Sequence, residues 1–204
     1  MAEIASVLSV PADDFGRLWL DTSYERVTGA FQSNEANIEY ICRRLGVPPV
    51  NTQTRLATEI IADSTTRLMK NLRADAIEVL SQLKSEGYKT GLISDCSPAV
   101  PLTWKETPLS PLIDVAVFSC SVGLQKPDLR IYQLATQQLA VEPENCLYVG
   151  DGSSQELTGA SQVGMHPVLI RVPDEESTNP YRINAEEWDG PAISSLREVL
   201  DLVD

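Results

Sequence analysis

The chain has 204 residues, a net charge of -13 from 16 basic and 29 acidic side chains, 43% hydrophobic residues, four cysteines and one histidine. The length fits one large domain or a core with a smaller module, and the composition is that of an ordinary globular protein. The acidic balance opposes a nucleic-acid backbone, no apolar run reaches the ~18 residues of a membrane helix, and cysteines without a C-x-x-C pair argue against a zinc site.

The acidity is uneven. Residues 1 to 72 hold 7 basic and 9 acidic side chains, whereas residues 73 to 204 hold 9 and 20. The N-terminus lacks the basic stretch of a signal peptide, so a cytoplasmic location with reduced thiols is expected. Cys96 as a catalytic nucleophile is disfavoured, because the sole histidine, His166, lies far from it in sequence.

Residues 1 to 71 read as four helices without strands, the pattern of a small bundle. Ile4, Val7 and Leu8 share one face of the first. Pro11 opens the second, with Asp13 as its N-cap and Phe15, Leu18, Trp19 and Thr22 on its apolar side, up to a break at Thr28-Gly29. Ser33 caps the third, which carries Ile38, Ile41, Cys42 and Leu45 and stops at Gly46. The fourth runs from about Thr52 to Lys70, with Leu56, Ile60, Ile61, Thr65 and Leu68 on one side.

From Asp75 the pattern alternates. A helix over 74–86 (Ile77, Val79, Leu80, Leu83) precedes a strand over 88–93, a short helix over 97–106 and a strand over 115–118. A helix over 128–139, a strand over 146–149, a helix over 155–163, a strand over 168–172 and a last helix over 193–202 follow. Short apolar strands alternating with helices predict a parallel sheet covered on both faces, whose ligands sit at the strands' carboxyl ends. Residues 173 to 192 read as an acidic surface loop.

Three groups fall at such strand ends. Ser94 closes Gly-Leu-Ile-Ser and offers a hydroxyl to a phosphoryl oxygen. Lys126 stands in Gly-Leu-Gln-Lys-Pro-Asp and offers a positive charge worth about 4 kcal/mol to an anion 4 Å away at an effective dielectric of ~20. Asp151 stands in Tyr-Val-Gly-Asp-Gly, where a carboxylate between glycines suits a hard cation, and Glu156 follows five residues later. Taken singly, each also reads as an ordinary turn, surface or helix-end residue.

In this order the stretches Thr90–Ser94, Gly123–Tyr132 and Tyr148–Ala160 resemble the haloacid dehalogenase (HAD) superfamily. The resemblance implies a Rossmann-like α/β core over residues 73–204, an α-helical cap domain over residues 1–72 and Mg2+ as cofactor. It implies a phosphatase-type reaction on a small phosphorylated metabolite through an aspartyl-phosphate. Ser94, Asp95 and Lys126 would bind phosphate, with Ser94 and Lys126 in catalytic roles, and Asp151 and Glu156 would serve the metal. The cap would close over the site and select the substrate, which Arg26, Thr28 and Arg55 could meet.

One expected part is missing. The superfamily's nucleophile stands in a central strand ending in Asp-x-Asp, and nothing before Ser94 supplies it. Asp13-Asp14 could substitute only if residues 4 to 10 were a strand, against their helical spacing. Three resolutions are open: a natural protein longer than this chain (the preferred one), closure of the two flanking strands on each other, or a strand donated by another chain. The chain as written is expected to turn over little substrate. The alternatives are a non-catalytic binding or regulatory protein on the same fold and a haloacid dehalogenase. A homo-oligomer is left open, since Trp19 and Phe31 fit either a core or a contact surface.

Overall fold

The computed structural model describes residues 1–171 and 186–203. In chain order the elements are α1 (Ala2–Leu8), α2 (Ala12–Asp21), α3 (Ser23–Val27), α4 (Asn34–Arg44), α5 (Asn51–Lys70), α6 (Ala76–Ser85), β1 (Gly91–Ser94), α7 (Ala99–Thr103), β2 (Val115–Phe118) and α8 (Ser119–Val122). Then come α9 (Leu129–Leu139), β3 (Leu147–Gly150), α10 (Glu156–Gln162), β4 (His166–Ile170), β5 (Ala192–Ile193) and a 3-10 helix at Leu196–Leu202. No helix among the described residues is long and apolar enough to cross a membrane. The chain separates into two compact units. One comprises Met1–Leu72, Asp95–Thr107 and Phe118–Gly123; the other comprises Arg73–Ser94, Pro108–Val117 and the residues from Leu124 onward.

The helical unit has its own apolar core of Ile4, Leu8, Phe15, Leu18, Trp19, Ile38, Ile41, Cys42, Ala57 and Ile61. Ser33 caps α4 as its sequence predicts, its side chain accepting from the Ala36 amide at 3.1 Å. Asp13 is not a cap: Pro11 holds that position, and Asp13 and Asp14 lie in the first turn of α2. Residues 4 to 8 are helical, so Ile4–Val10 is no strand. The predicted second helix is two helices, because the Thr22 hydroxyl donates to the Leu18 carbonyl at 2.8 Å and competes with the backbone there.

The face of α5 also differs from prediction. Thr54, Ala57 and Ile61 are its buried residues, whereas Leu56 and Leu68 are 47% and 52% exposed. Small side chains at 54 and 57 let α5 pack closely on α1 and α4. Thr54 can be buried because its hydroxyl donates to Asn51 O and Glu35 Oε1, each at 3.2 Å.

The second unit is α/β, but its strands form two sheets rather than one. β1 pairs with β2, and β3, β4 and β5 form a separate parallel sheet in that order. The strands ending at Ser94 and Gly150 therefore do not close on each other. Val79 and Leu83 of α6 pack with Val168, Ile170, Ile193 and Val199 beneath the three-stranded sheet. α10 packs on β3, β4 and α9, and α9 packs on β1. Ile77, assigned to the core by spacing, is 38% exposed.

Local bonds explain the shifted boundaries. The Tyr88 amide turns back to Leu83 O at 3.0 Å, and Thr90 bonds Leu112 O and Asp114, so β1 starts at 91 rather than 88. At the other end, Leu169 donates to Pro191 O and Arg171 to Ile193 O. Those ladder bonds draw residues 192–193 into β5, and the expected last helix shortens to the 3-10 helix, opened by a Ser195–Glu198 capping box. The surface loop expected over 173–192 lies mostly outside the described residues.

Candidate active site

Three of the predicted site residues meet beyond the carboxyl end of β3. The Lys126 ammonium bonds Glu156 Oε2 at 2.5 Å, with the two side chains only 11% and 5% exposed. The Tyr148 hydroxyl donates to the same oxygen at 2.8 Å, and the Gly152 amide donates to Oε1 at 3.2 Å. Both carboxylate oxygens of Glu156 are thus engaged by the chain itself. Such satisfaction is what allows a buried carboxylate and a buried ammonium to coexist.

The backbone is shaped to permit this. A Cβ on Gly150 would stand 2.3 Å from Glu156 Oε1, so glycine is required where the carboxylate crosses the strand end. Gly152, Ser154 and Gln155 all have positive φ, at 82°, 57° and 52°. The last two are side-chain-bearing residues in the left-handed region, a conformation that costs free energy and must be held by its surroundings. Glu186 holds it. Its amide donates to Gly152 O at 2.9 Å, and its carboxylate accepts from Leu157 N at 2.7 Å, Thr158 N at 3.2 Å and Thr158 Oγ1 at 2.5 Å. Beneath α10, buried Tyr132 donates to Glu156 O at 3.0 Å and stacks edge-on against Tyr148.

Asp151 lies between the two glycines, and its Oδ1 accepts from the Ser153 amide at 2.9 Å. Burial, the largest single influence, disfavours its charge. Hydrogen bonding from Ser153, the Lys126 ammonium and a bond with Glu156 outweigh it together, and the carboxyl stays below the ordinary range. The Ser153 hydroxyl is buried beside it and makes no geometrically regular hydrogen bond to another described residue. An ionised carboxylate next to a buried hydroxyl is an oxygen-only donor set that fits a hard cation such as Mg2+. No group of three or more His, Cys, Asp or Glu able to hold a metal occurs among the described residues. A cation here would take few ligands from the protein and the rest from water or a phosphate, as Mg2+ commonly does.

Ser94 closes β1, which pairs with β2 and not with the sheet that contains β3. Asp95 follows it and groups with the helical unit. Of the residues suggested to meet a substrate, Arg26 is buried instead. Its guanidinium bonds Trp19 O and Asn37 Oδ1, both at 2.9 Å, and lies 3.9 Å over the Trp19 ring, and burial lowers its pKa to about 10. Arg55 is exposed beside Glu59, and the Thr28 hydroxyl is bonded to Tyr24 O. Sequence reasoning passed over Tyr148 and Glu186. Tyr148 reads as a strand residue, yet it lies two positions before Gly150, so its side chain leaves the strand near the turn. Glu186 carries no local signal.

Comparison with known proteins agrees with this architecture. The sequence profile of the haloacid dehalogenase-like hydrolases matches residues 3–164, and the chain belongs to that family. It is 33% identical over 102 residues to the rhythmically expressed gene 2 protein of Drosophila melanogaster, covering 47% of this chain and 39% of the fly protein. It is 28% identical over 183 residues to the glyceraldehyde 3-phosphate phosphatase of Methanopyrus kandleri, covering 88% of this chain and 76% of that enzyme. Its fold is similar to a HAD phosphatase from Thermococcus onnurineus, with a TM-score of 0.59 at 23% identity over 94% of this chain and 91% of the other.

Proposed function

We propose that this chain carries the phosphate- and magnesium-binding part of a phosphatase acting on a small phosphorylated metabolite. The observation that carries the reading is the buried Lys126–Glu156 pair set beside an ionised Asp151. In this reading Asp151 would hold Mg2+, with Glu156 supporting the site by fixing Lys126 and the Gly152 amide. Mg2+ would supply electrostatic neutralisation of the phosphoryl oxygens. Lys126 offers the ester its positive charge, and because Glu156 holds the ammonium in place, its ordering cost is met before substrate arrives. Ser94 and Asp95 would contact the phosphoryl group from the end of β1. Residues 1–72 would act as the substrate-selecting cap over a core of residues 73–204. The name of the archaeal relative makes glyceraldehyde 3-phosphate a sensible first substrate to assay.

The 204 residues contain no Asp-x-Asp, the motif that would supply the attacking carboxylate and its acid–base partner, so little turnover is expected. Loss of a nucleophile can cost ~10⁶-fold in rate. The expected result is Mg2+ and inorganic phosphate binding by calorimetry, lost in Asp151→Asn, with background hydrolysis of p-nitrophenyl phosphate and glyceraldehyde 3-phosphate. Magnesium-dependent turnover abolished by Asp151→Asn would overturn the expectation of low activity and direct attention to Asp13 and Asp14. Absence of both Mg2+ and phosphate binding would overturn the phosphatase-type reading. One observation favours a second reading, a fold-retaining protein that binds without chemistry: β1 and β3 belong to separate sheets. Binding with no turnover, in a protein with a complete sheet, would select it.

A further inference from the structure

Two of the four cysteines stand together in the helical unit, and the reading above makes no use of them. Cys96 follows the end of β1, and Cys120 lies in α8 directly after β2. Because β1 and β2 are neighbours, the turns that leave them emerge side by side. The Cys96 amide donates to the Ser119 hydroxyl at 2.9 Å, which ties one turn to the other. The two Sγ atoms are 3.9 Å apart and joined by a hydrogen bond. A disulfide needs about 2.05 Å, so roughly 2 Å of approach is required, within the reach of side-chain rotation.

The two thiols differ in character. Cys96 is buried, at 7% exposure, and Cys120 is partly exposed. The Cys96 hydrogen bond, against the effect of burial, lowers Cys120 to about 7, with Ser121 and its own amide assisting. Burial pushes Cys42 and Cys146 the other way. Backbone freedom around Cys120 is small. Gly29 lies so close that a Cβ there would stand 2.2 Å from the Cys120 carbonyl oxygen. Closure must therefore come from the two side chains and the Cys96 turn.

We propose that Cys96 and Cys120 are a redox-active dithiol that closes reversibly to a disulfide under a hydroperoxide oxidant, Cys120 attacking and Cys96 resolving. In the first step the Cys120 thiolate attacks one peroxide oxygen. The S–O bond forms, the O–O bond breaks, and hydroxide leaves to be protonated to water. In the second step the Cys96 sulfur attacks the sulfenic sulfur. The S–S bond forms, the S–O bond breaks, and the departing hydroxyl takes the Cys96 proton as water. Two thiols and one hydrogen peroxide thus give one disulfide and two waters, a two-electron oxidation that a small dithiol reverses.

The test uses the whole chain and does not depend on the phosphatase reading. Reduced protein alkylated in denaturant carries four adducts, one per cysteine. After stoichiometric hydrogen peroxide, two adducts are expected, with a Cys96–Cys120 cross-linked peptide and full recovery in dithiothreitol. Cys96→Ser should accumulate a dimedone-trappable sulfenic acid on Cys120, and Cys120→Ser should keep all its remaining thiols reduced. A trivalent phenylarsenical, which binds two adjacent thiols, serves as a measurement on wild-type protein. One per chain should bind before oxidation and none after. Four persisting adducts, a disulfide through Cys42 or Cys146, or no arsenical binding to the wild type would each overturn the proposal.

Discussion

The two units solve the burial problem differently. The helical unit encloses Phe15, Ile38, Ile41 and Ala57 completely, and even its charged Arg26 is bonded and stacked inside. In the α/β unit, β3 and β1 are largely half-buried strands, and they belong to sheets that are not joined. This unit encloses apolar residues as well, Ile131, Leu157, Ala160 and Leu169 among them, but it also buries a polar cluster around Glu156. Stability in the first unit rests on apolar volume. In the second a buried ion pair and its hydrogen bonds are added to an apolar core, so the two should respond differently to the loss of a buried charge.

The sharpest way to break this contrast is at Lys126. Lys126→Ala leaves Glu156 buried without its cation and should cost about 3 to 5 kcal/mol in urea unfolding, whereas Lys126→Met with Glu156→Gln should recover much of that. In the helical unit the comparable loss comes from volume. Ile61→Ala should cost about 2 to 5 kcal/mol, while Leu56→Ala, on the face that spacing alone marks as buried, should stay within about 0.5 kcal/mol. Tyr148→Phe removes one bond to the Glu156 carboxylate and should cost about 1.5 to 3 kcal/mol by the same measurement.

Acid should single out the α/β unit. Asp151, Asp114 and Asp128 are all held below the ordinary carboxylate range in the folded chain, and all lie in that unit. Their stabilisation is fully present above the unfolded carboxyl pKa of about 4 and is lost as pH falls through the lower folded values. Urea midpoints measured from pH 6 down to pH 3 should fall below about pH 4. A flat profile would mean that these carboxylates contribute nothing to folding.

Much of this was legible in the sequence where the signal is local. The Ser33 cap, the Phe15–Leu18–Trp19–Thr22 stripe and the strand at 115–118 follow from side chains that act on their own neighbourhood. Lys126 and Asp151 were legible because glycine and proline mark the turns that hold them. What escaped is set by tertiary competition. Thr54 and Ala57 win the buried face of α5 through their small size, and residues 192–193 join β4 instead of opening a helix. Glu186 reaches the α10 amides from a distant segment, and no window around it could reveal that. The division into two sheets is likewise a property of strand pairing, which apolar periodicity does not encode.

The separate sheets also bear on how molecules of this chain meet one another. Among the described residues β1 and β3 each have a strand on one side only, and a strand edge presents a row of backbone donors and acceptors that another chain can adopt as its own continuation. The charge of -13 sets mutual repulsion against that adhesion. Added salt screens the repulsion but leaves the edge bonds intact, so self-association measured by light scattering should rise with ionic strength. Dilution and low salt are the conditions expected to disfavour that self-association.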